Sequence, residues 1–193
     1  PKGKRVGRCE LISVGRLIEK KGFEELLDIA AALKAEGFPF RLRIVGEGAL
    51  RGALEKKIKR LRLEECVELV GWKTPAQVRE LLGNSDIYCF SGKVAASGDR
   101  DGFPNVIAEA FMAGVAVIAH KVADVGSGVG SGKTGVLLES LEQGLWVAAI
   151  KELLSVEETR AEYVHNARSW VEENFSARKN SERFLKFVFG GKL

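Results

Sequence analysis

The sequence predicts an α/β fold, in which a Rossmann-like, doubly wound parallel sheet of about six strands is followed by a helical C-terminal tail. Short, mostly apolar runs alternate with amphipathic stretches of helical period up to residue 140. After that position the strand-like runs stop and only helical patterns remain. Strands that alternate with helices are joined by right-handed crossovers, so we expect them to run parallel with helices on both faces. Ligands of such sheets bind beyond the carboxyl ends of the strands.

The predicted strands are short runs rich in β-branched, aromatic and other apolar residues, separated by turn-forming or charged residues. They are ELISV (10–14), FRLRIV (40–45), CVELV (66–70), DIYCF (86–90), VAVIA (115–119) and GVLLE (135–139). The predicted helices lie at 23–36, 49–62, 75–82, 104–113, 141–154, 157–173 and 176–189. Two of them have proline start signals. Thr74 and Gln77 form a capping box around Pro75, and Pro104 suits the first position of its helix.

Length and composition fit one domain. With 193 residues, 46% of them hydrophobic, the chain can bury one sizeable core. We expect a parallel α/β core over 9–140 and C-terminal helices over 141–193, whose aromatic side chains pack inward. These aromatic residues are Trp146, Tyr163, Trp170, Phe175, Phe184 and Phe187. No apolar run approaches the roughly 20 residues of a membrane helix, and the N-terminal PKGKRVGR lacks the apolar segment of a signal peptide. We therefore expect a cytoplasmic protein.

Charge and cysteine usage argue against several classes of protein. The net charge is +4, but Lys and Arg are spread among acidic residues, which argues against nucleic acid as a partner and leaves open attraction to phosphates or an anionic membrane. Cys9, Cys66 and Cys89 are odd in number and lie in apolar runs, so we predict core residues rather than disulfides or metal ligands. His120 and His165 lack the partners of a catalytic set, which favours structural or surface roles.

The segment DRDGFPNVIAEAF (99–111) carries the most informative polar residues. Asp101 precedes the helix predicted from Pro104, and Glu109 lies on its second turn. The first amides of a helix lack intrahelical partners and, with the positive end of the helix dipole, attract anions. The two carboxylates can accept hydrogen bonds from sugar or ribose hydroxyls. In the alternative that spacing alone favours, Asp101 caps the helix and Glu109 is a solvated side chain.

Basic residues follow the first predicted strand. In VGRLIEKKGF, Arg16 stands just beyond the strand, and Lys21 stands before Gly22 at the start of the next helix. A guanidinium fork and an ammonium at the carboxyl edge of a sheet can bind a diphosphate. Solvent exposure is the ordinary alternative for either residue alone. Together with the helix start after the fourth strand, they predict an anion site.

Two glycine-rich stretches only partly match nucleotide-binding loops. IVGEGALR (44–51) has Arg51 where the dinucleotide fingerprint needs a glycine, so a tight strand-to-helix turn explains it. VGSGVGSGKTGVLL (125–138) has Ser127 where a phosphate loop needs its first glycine, and it leads into a strand rather than a helix. We predict instead a mobile loop over 123–133 at the sheet edge. The insertion 91–100 is predicted to be a lid.

In order, VGRLIEKKG, IVGEG, ELVGW, DGFPNVIAEAFMAGVAVIA and GKTGVLL resemble the C-terminal, nucleotide-sugar-binding half of glycosyltransferase family 4 (group 1), a family of retaining enzymes with the GT-B fold. The resemblance implies one half of that fold, with an N-terminal acceptor-binding domain absent from these residues. It further implies that the full-length protein is a hexosyltransferase of polysaccharide biosynthesis, which uses a UDP-, GDP- or ADP-sugar and a glycan or lipid-linked acceptor, with peripheral membrane contact. No metal or other cofactor is expected, and the isolated chain is expected to be inactive.

The same resemblance implies how the donor diphosphate is bound. Arg16 and Lys21 would bind it in place of a metal ion, with Gly15 beside them. The backbone amides of Asn105 and Val106 would add to that contact. Charge builds up on the leaving diphosphate as the anomeric bond breaks, and fixed cations and amides stabilise such charge. Arg16 and Lys21 are therefore counted among the expected catalytic residues.

The resemblance also assigns the sugar, the ribose and the base. Asp101 stands where the family has the first Glu of a pair, and the amides of Gly102 and Phe103 would hold hydroxyls of the transferred sugar. Glu109 would bind the ribose hydroxyls. The base would lie against the end of the third strand, at Val70 and Gly71. Asp101 and Glu109 complete the expected catalytic set.

The sequence departs from the family pattern at several places. Asp101 is one methylene shorter than Glu, Pro104 has no amide where many members have glycine, and ADVGSGVG (123–130) lacks the turn usual after the fifth strand. Nucleotide-sugar epimerases share the half-fold, but they would bring a base and an acid that are not evident here. The alternative function is a non-catalytic module that binds a nucleotide sugar or docks to a protein partner, which fold alone does not separate.

Overall fold

The computed structural model describes residues 7–122, 124–130 and 132–175, in which strands and helices alternate as predicted. The strands are β1 (Cys9–Val14), β2 (Phe40–Val45), β3 (Val67–Gly71), β4 (Ile87–Phe90), β5 (Ala116–His120) and β6 (Val136–Leu138). The helices are α1 (Phe23–Ala35), α2 (Arg51–Arg60), α3 (Pro75–Gly83), α4 (Asn105–Met112), α5 (Gln143–Ser155) and α6 (Glu157–Asn174). Short 3₁₀ turns occupy Glu19–Lys21 and Val125–Ser127.

The strands form one six-stranded sheet in the order β3-β2-β1-β4-β5-β6, and every neighbouring pair is parallel. β1 and β2 pair in register from Cys9 and Phe40 to Val14 and Val45. The order reverses beside β1, because the chain first moves outward to β2 and β3 and then returns to place β4 on the other side. The predicted doubly wound parallel sheet is confirmed.

Helices cover both faces of the sheet, and neighbouring strand residues enter different cores. Leu11 belongs to the core under α1, α2 and α5, whereas Ile12 belongs to the core under α3, α4 and α6. On β4, Cys89 belongs to the first of these cores and Tyr88 to the second. Because side chains alternate along a strand and both faces are covered, the strands read as nearly continuous apolar runs.

The C-terminal helices are part of this packing. Trp146 of α5 is fully buried, and its indole N–H donates to the Ser140 carbonyl at 3.1 Å. Tyr163 packs against the same core, and Trp170 of α6 stacks on Phe103 with ring centroids 5.3 Å apart. These inward contacts agree with the predicted packing role. Phe184 and Phe187, with the predicted helix over 176–189, lie outside the described residues.

Three helices begin later than predicted: α2 and α5 by two residues, at Arg51 and Gln143, and α4 by one. Pro104 is not the first residue of α4 but precedes it as the N-cap, with φ −73° and an extended ψ of 118°. The pyrrolidine ring fixes φ, which suits both positions, and leaves ψ free to choose between them. Asn105 and Val106 are consequently the first two helical residues.

The cysteines are free within the described chain, as predicted. Cys9 and Cys89 are buried and Cys66 is half-buried. Burial raises the pKa of the Cys89 thiol to about 12 and also raises the pKa of Cys9 and Cys66. The thiols are therefore neutral core groups at physiological pH. No helix among the described residues is long and apolar enough to cross a membrane.

Candidate functional site

The candidate site lies where β1 ends, at the point where the strand order reverses. In open parallel sheets this switch point forms a crevice between loops that diverge to opposite faces. Gly15 continues from β1, and its amide donates to the Val45 carbonyl at 2.9 Å. A side chain at Gly46 would collide with the Gly15 carbonyl, and one at Gly48 would collide with the backbone of Leu17. The glycines of IVGEG thus bring two strand-end loops into backbone contact.

Lys21 crosses the floor of this site. A Cβ at Gly15 would lie 3.2 Å from both Cδ and Cε of Lys21, so the missing side chain leaves room for the lysine. The Lys21 Nζ donates to Asp101 Oδ2 at 2.6 Å and lies 6.0 Å from the centre of the Phe90 ring. Both Lys21 and Asp101 have side chains only 15% exposed. The structure therefore joins two residues that the sequence predicted as parts of one site.

Lys20 is a further cation of the site that sequence reasoning missed. Its Nζ lies 3.0 Å from Asp99 Oδ1 and 3.5 Å from Asp101 Oδ1. The hydrogen bond to Asp99 raises the pKa of Lys20. The available signal was the run Glu19–Lys21, which places two lysines together ahead of Gly22. Only the fold shows that both reach the same loop.

The insertion 91–100, predicted to be a lid, contacts the turn that carries both lysines. The Ser91 hydroxyl donates to the Lys21 carbonyl at 3.0 Å, and the Lys93 amide donates to the Lys20 carbonyl at 2.8 Å. The Ala96 amide donates to a carboxylate oxygen of Glu19 at 2.9 Å. Loop and turn therefore form one hydrogen-bonded unit at the edge of the site.

At Gly22 the backbone of the turn packs closely against the backbone of Ser91. The φ of Gly22 is +63°, and a Cβ there would lie 1.8 Å from the Ser91 carbonyl oxygen. Lys93 also pairs with Glu25 on α1, and that hydrogen bond raises the pKa of Lys93. These contacts hold 91–100 against the first turn of α1.

Asp101 and Glu109 both act electrostatically on Tyr88. Burial raises the pKa of the Tyr88 hydroxyl, and the nearby Cys89, Asp101 and Glu109 raise it further. This hydroxyl contacts the Val14 carbonyl at 3.5 Å. Asp101 pairs with Lys21 and does not cap α4, whose N-terminus has no side-chain cap. The capping alternative for Asp101 is therefore wrong. Glu109 is exposed, as its alternative interpretation expected.

The start of α4 supplies the amides expected at this site. Asn105 is exposed and Val106 is half-buried, and they occupy the first turn, where amides lack a carbonyl four residues earlier. Gly102 is exposed, whereas Phe103 is half-buried against Trp170 and Phe175. The aromatic contact fixes the backbone that leads into α4.

A groove of about 640 Å³ runs along the outer face of α4. Its walls come from α3, α4 and α6, and it includes Asn105 and Glu109. Arg16, Lys21 and Asp101 are not among its lining residues. Glu109 thus borders both this groove and the surroundings of Tyr88.

The remaining predicted residues are spread along the carboxyl edge of the sheet. Arg16 is exposed, and its guanidinium has no hydrogen-bond or ion-pair partner among the residues that the structure describes. Val70 and Gly71 end the edge strand β3, where Lys73 Nζ donates to the Val70 carbonyl at 3.0 Å. Gly71 has φ +79° and accepts from the Gly46 amide at 3.0 Å. With strands about 4.8 Å apart, β3 lies roughly 10 Å from β1.

The glycine-rich stretch before β6 is followed by a strand, so it is not a phosphate loop. Within its described part, 124–130 and 132–135, Val125 and Val129 are buried. The buried Thr134 hydroxyl donates to the Gly128 carbonyl at 2.6 Å and accepts from the Gly130 amide at 2.8 Å. The loop that was predicted to be mobile therefore has its own internal anchors beside the edge strand.

Neither histidine lies in a catalytic arrangement in the described chain. His120 ends β5, and its Nδ1 bonds the Gly92 carbonyl at 2.7 Å, which ties β5 to the start of the loop 91–100. His165 lies on α6. The prediction of a structural role fits the contact of His120.

The fold is thus an α/β domain that places Lys20, Lys21 and the first turn of α4 near the switch point of its parallel sheet. The chain belongs to the glycosyl transferases group 1 family, whose sequence model matches residues 1–170. It is 33% identical over 172 residues to the putative colanic acid biosynthesis glycosyltransferase WcaL of Escherichia coli K12. That match covers 86% of this chain and 41% of WcaL, so the chain spans about two fifths of the relative.

Solved structures that superpose on this chain include GT-B glycosyltransferases. Anabaena Alr3699/HepE in complex with UDP superposes with a TM-score of 0.82 at 21% identity, over 95% of this chain and 49% of that one. The C-terminal domain of the Francisella tularensis group 1 protein LpcC gives a TM-score of 0.72 at 19% identity, over 89% of this chain and 88% of that domain. At these identities the likeness establishes the fold.

Proposed function

We propose that this chain is the C-terminal, donor-binding domain of a retaining family 4 glycosyltransferase, and that it binds a nucleotide-diphospho-sugar. The main support is the position of Lys21 at the sheet's switch point, with its ammonium 2.6 Å from the Asp101 carboxylate that precedes α4. An ammonium, an exposed guanidinium and a helix N-terminus at one edge suit a diphosphate. The HepE complex with UDP, of the same fold, supports a nucleotide of this kind.

In this proposal the diphosphate lies over Gly15. Arg16 and Lys21 contact its oxygens, and the amides of Asn105 and Val106 complete the contact. A metal ion is not needed, because the two side chains already supply fixed positive charge where the leaving group becomes more negative. Arg16 is suited to this role because its guanidinium is exposed and makes no competing ion pair within the described chain.

The two carboxylates bind hydroxyls on opposite sides of the diphosphate. Asp101, with the amides of Gly102 and Phe103, binds the transferred hexose, and Glu109 binds the ribose. Carboxylates accept strong hydrogen bonds from hydroxyls, so each holds one end of the donor in place. The base extends along the sheet edge to Val70 and Gly71. In this arrangement the nucleoside spans the roughly 10 Å between β1 and β3.

The acceptor side comes from a domain outside these residues. The chain spans 41% of WcaL, whose name assigns it to colanic acid biosynthesis. We therefore infer a glycan or lipid-linked acceptor, bound mainly by an N-terminal domain, in cytoplasmic polysaccharide biosynthesis with peripheral membrane contact. This chain alone binds the donor without transferring the sugar.

Isothermal titration with UDP, GDP and ADP tests this function. We expect at least one of them to bind, with an affinity that falls about tenfold or more in Arg16→Ala and in Glu109→Ala, since each removes a charged hydrogen-bonding group. Arg60→Ala at the end of α2 is a control for loss of a surface arginine. EDTA should leave the affinity unchanged, because the site supplies its own cations.

Three results would contradict the proposal. If none of the three nucleotides binds at millimolar concentration, the chain lacks a donor site. If nucleotide binds but neither site variant weakens it more than the control does, the nucleotide lies elsewhere. The first of these results would favour the alternative of a docking module. Sugar transfer by the isolated chain would contradict its assignment as a donor-binding half.

A further inference from the structure

Four charged side chains form a compact cluster at the site. Lys20, Lys21, Asp99 and Asp101 bring two ammonium groups and two carboxylates together, so the cluster is neutral. Asp101 is shared, because its Oδ2 lies 2.6 Å from Lys21 and its Oδ1 lies 3.5 Å from Lys20. The side chains of Lys20, Lys21 and Asp101 are only 13–15% exposed, so water screens these charges weakly.

This arrangement poses an electrostatic problem for the proposed function. Lys21 must turn toward a diphosphate, yet without ligand it pairs with Asp101. A diphosphate also brings new negative charge beside Asp101. A poorly solvated carboxylate that loses its partner is costly, and a nearby phosphate increases that cost. Donor binding therefore needs a second cation that can form an ion pair with Asp101 in place of Lys21.

We propose that Lys20 is this second cation, a positioning residue that receives Asp101 when Lys21 moves to the diphosphate. The inference rests on the proposed function and adds to it a residue outside the predicted site. Its contact with Asp101 is long at 3.5 Å and can shorten, whereas the Lys21 contact is already short. The Lys20 backbone is held by the Lys93 amide, and Asp99 holds its side chain beside Asp101.

The exchange of partners predicts a specific interaction between two substitutions. In Lys20→Met, Asp101 has only Lys21 to neutralise it, so this carboxylate competes with the diphosphate. Nucleotide affinity should then fall although Lys20 does not touch the nucleotide. In Asp101→Asn the competing carboxylate is gone, so Lys20 is no longer needed. Loss of Lys20 should consequently matter in the wild-type background and have little effect in the Asp101→Asn background.

The test is a double-mutant cycle with titration of UDP, GDP and ADP into the intact chain. We expect Lys20→Met to weaken the nucleotide that binds best about tenfold or more, and to change its affinity by less than about threefold when Asp101→Asn is present. Lys20→Arg keeps the charge and should bind within about threefold of wild type.

A matched control uses Lys57 and Asp28, another lysine and carboxylate in a 2.7 Å ion pair. The Lys57 side chain is 12% exposed, like that of Lys20, but the pair joins α2 to α1 away from the proposed ligands. Lys57→Met, Asp28→Asn and the double variant should leave nucleotide affinity unchanged. Thermal unfolding of every variant measures any general loss of stability.

The outcomes separate this inference from the proposed function. Equal weakening by Lys20→Met in both backgrounds would mean that Lys20 contacts the nucleotide or supports the fold, and would overturn the exchange. No effect of Lys20→Met in wild type would also overturn it. In both cases, if nucleotide binding still depends on Arg16, the proposed donor site is retained. If wild type binds no nucleotide, the proposed function fails and the exchange fails with it.

Discussion

Replacing Gly22 with alanine tests how firmly the loop 91–100 is held against the turn that carries the site lysines. Gly22 has φ +63°, and an added methyl group would lie 1.8 Å from the Ser91 carbonyl oxygen. The left-handed backbone costs an alanine about 1–2 kcal/mol. Overpacking against backbone costs about 1–3 kcal/mol more, because a carbonyl cannot move aside as a flexible side chain can. The free energy of unfolding should therefore fall by about 2–5 kcal/mol.

Gly37 is the matched control for that substitution. Its φ is +68°, but nothing lies within 4 Å of an added Cβ. Gly37→Ala should lower the free energy of unfolding by only about 1–2 kcal/mol, the backbone cost alone. Urea unfolding followed by circular dichroism measures both, and titration with the nucleotide that wild type binds best should show weaker binding only for Gly22→Ala. Equal losses of stability would refute the argument that close packing against Ser91, rather than backbone conformation, requires glycine here.

Two further predictions concern the core and the loop before β6. Burial raises the pKa of Cys89 to about 12 from an ordinary value of 9.0. Below pH 9.0 the thiol is neutral in both the folded and the unfolded chain, and folding stability is at its full value. As pH rises from 9.0 toward about 12, the thiol ionises in the unfolded chain first, so stability is lost. The fall in the free energy of unfolding between about pH 8 and pH 10.5, measured in urea, should be shallower in Cys89→Ala than in wild type. Thr134→Val removes a hydroxyl bonded to Gly128 and Gly130 and should cost about 2–4 kcal/mol. An unchanged urea midpoint would mean that the loop finds other partners.

The sheet could be predicted from sequence because both of its faces are buried. Strands covered on two sides must be apolar at consecutive positions, and such runs stand out in the sequence between helical stretches. All six predicted strands are present, and their ends shift by about one residue because hydrogen bonding, not composition, sets the last paired residue. The start of α4 could not be fixed, since ψ at Pro104 is set by tertiary contacts.

The site could be predicted in part, because motif order indicates which loops meet at the switch point. The pairing of Lys21 with Asp101 joins residues 80 positions apart, and the sequence singled out both. Lys20 was missed because adjacent lysines look equivalent until the fold shows that both contact Asp101. Likewise, the glycines of IVGEG were attributed to a local turn, whereas Gly46 and Gly48 also avoid the backbone of a neighbouring loop.

The aromatic contact between α6 and the start of α4 decides where the domain can be divided. Phe103, Trp170 and Phe175 stack with centroids 5.3–5.7 Å apart, and a side chain at Gly128 would collide with the first two. The boundary drawn from sequence at residue 140 therefore marks a change in secondary-structure pattern. It does not separate two parts that are stable independently. A fragment that stops there would lose the α6 wall of the groove along α4 and the aromatic packing on Phe103, so we expect a stable fragment to reach at least to residue 175.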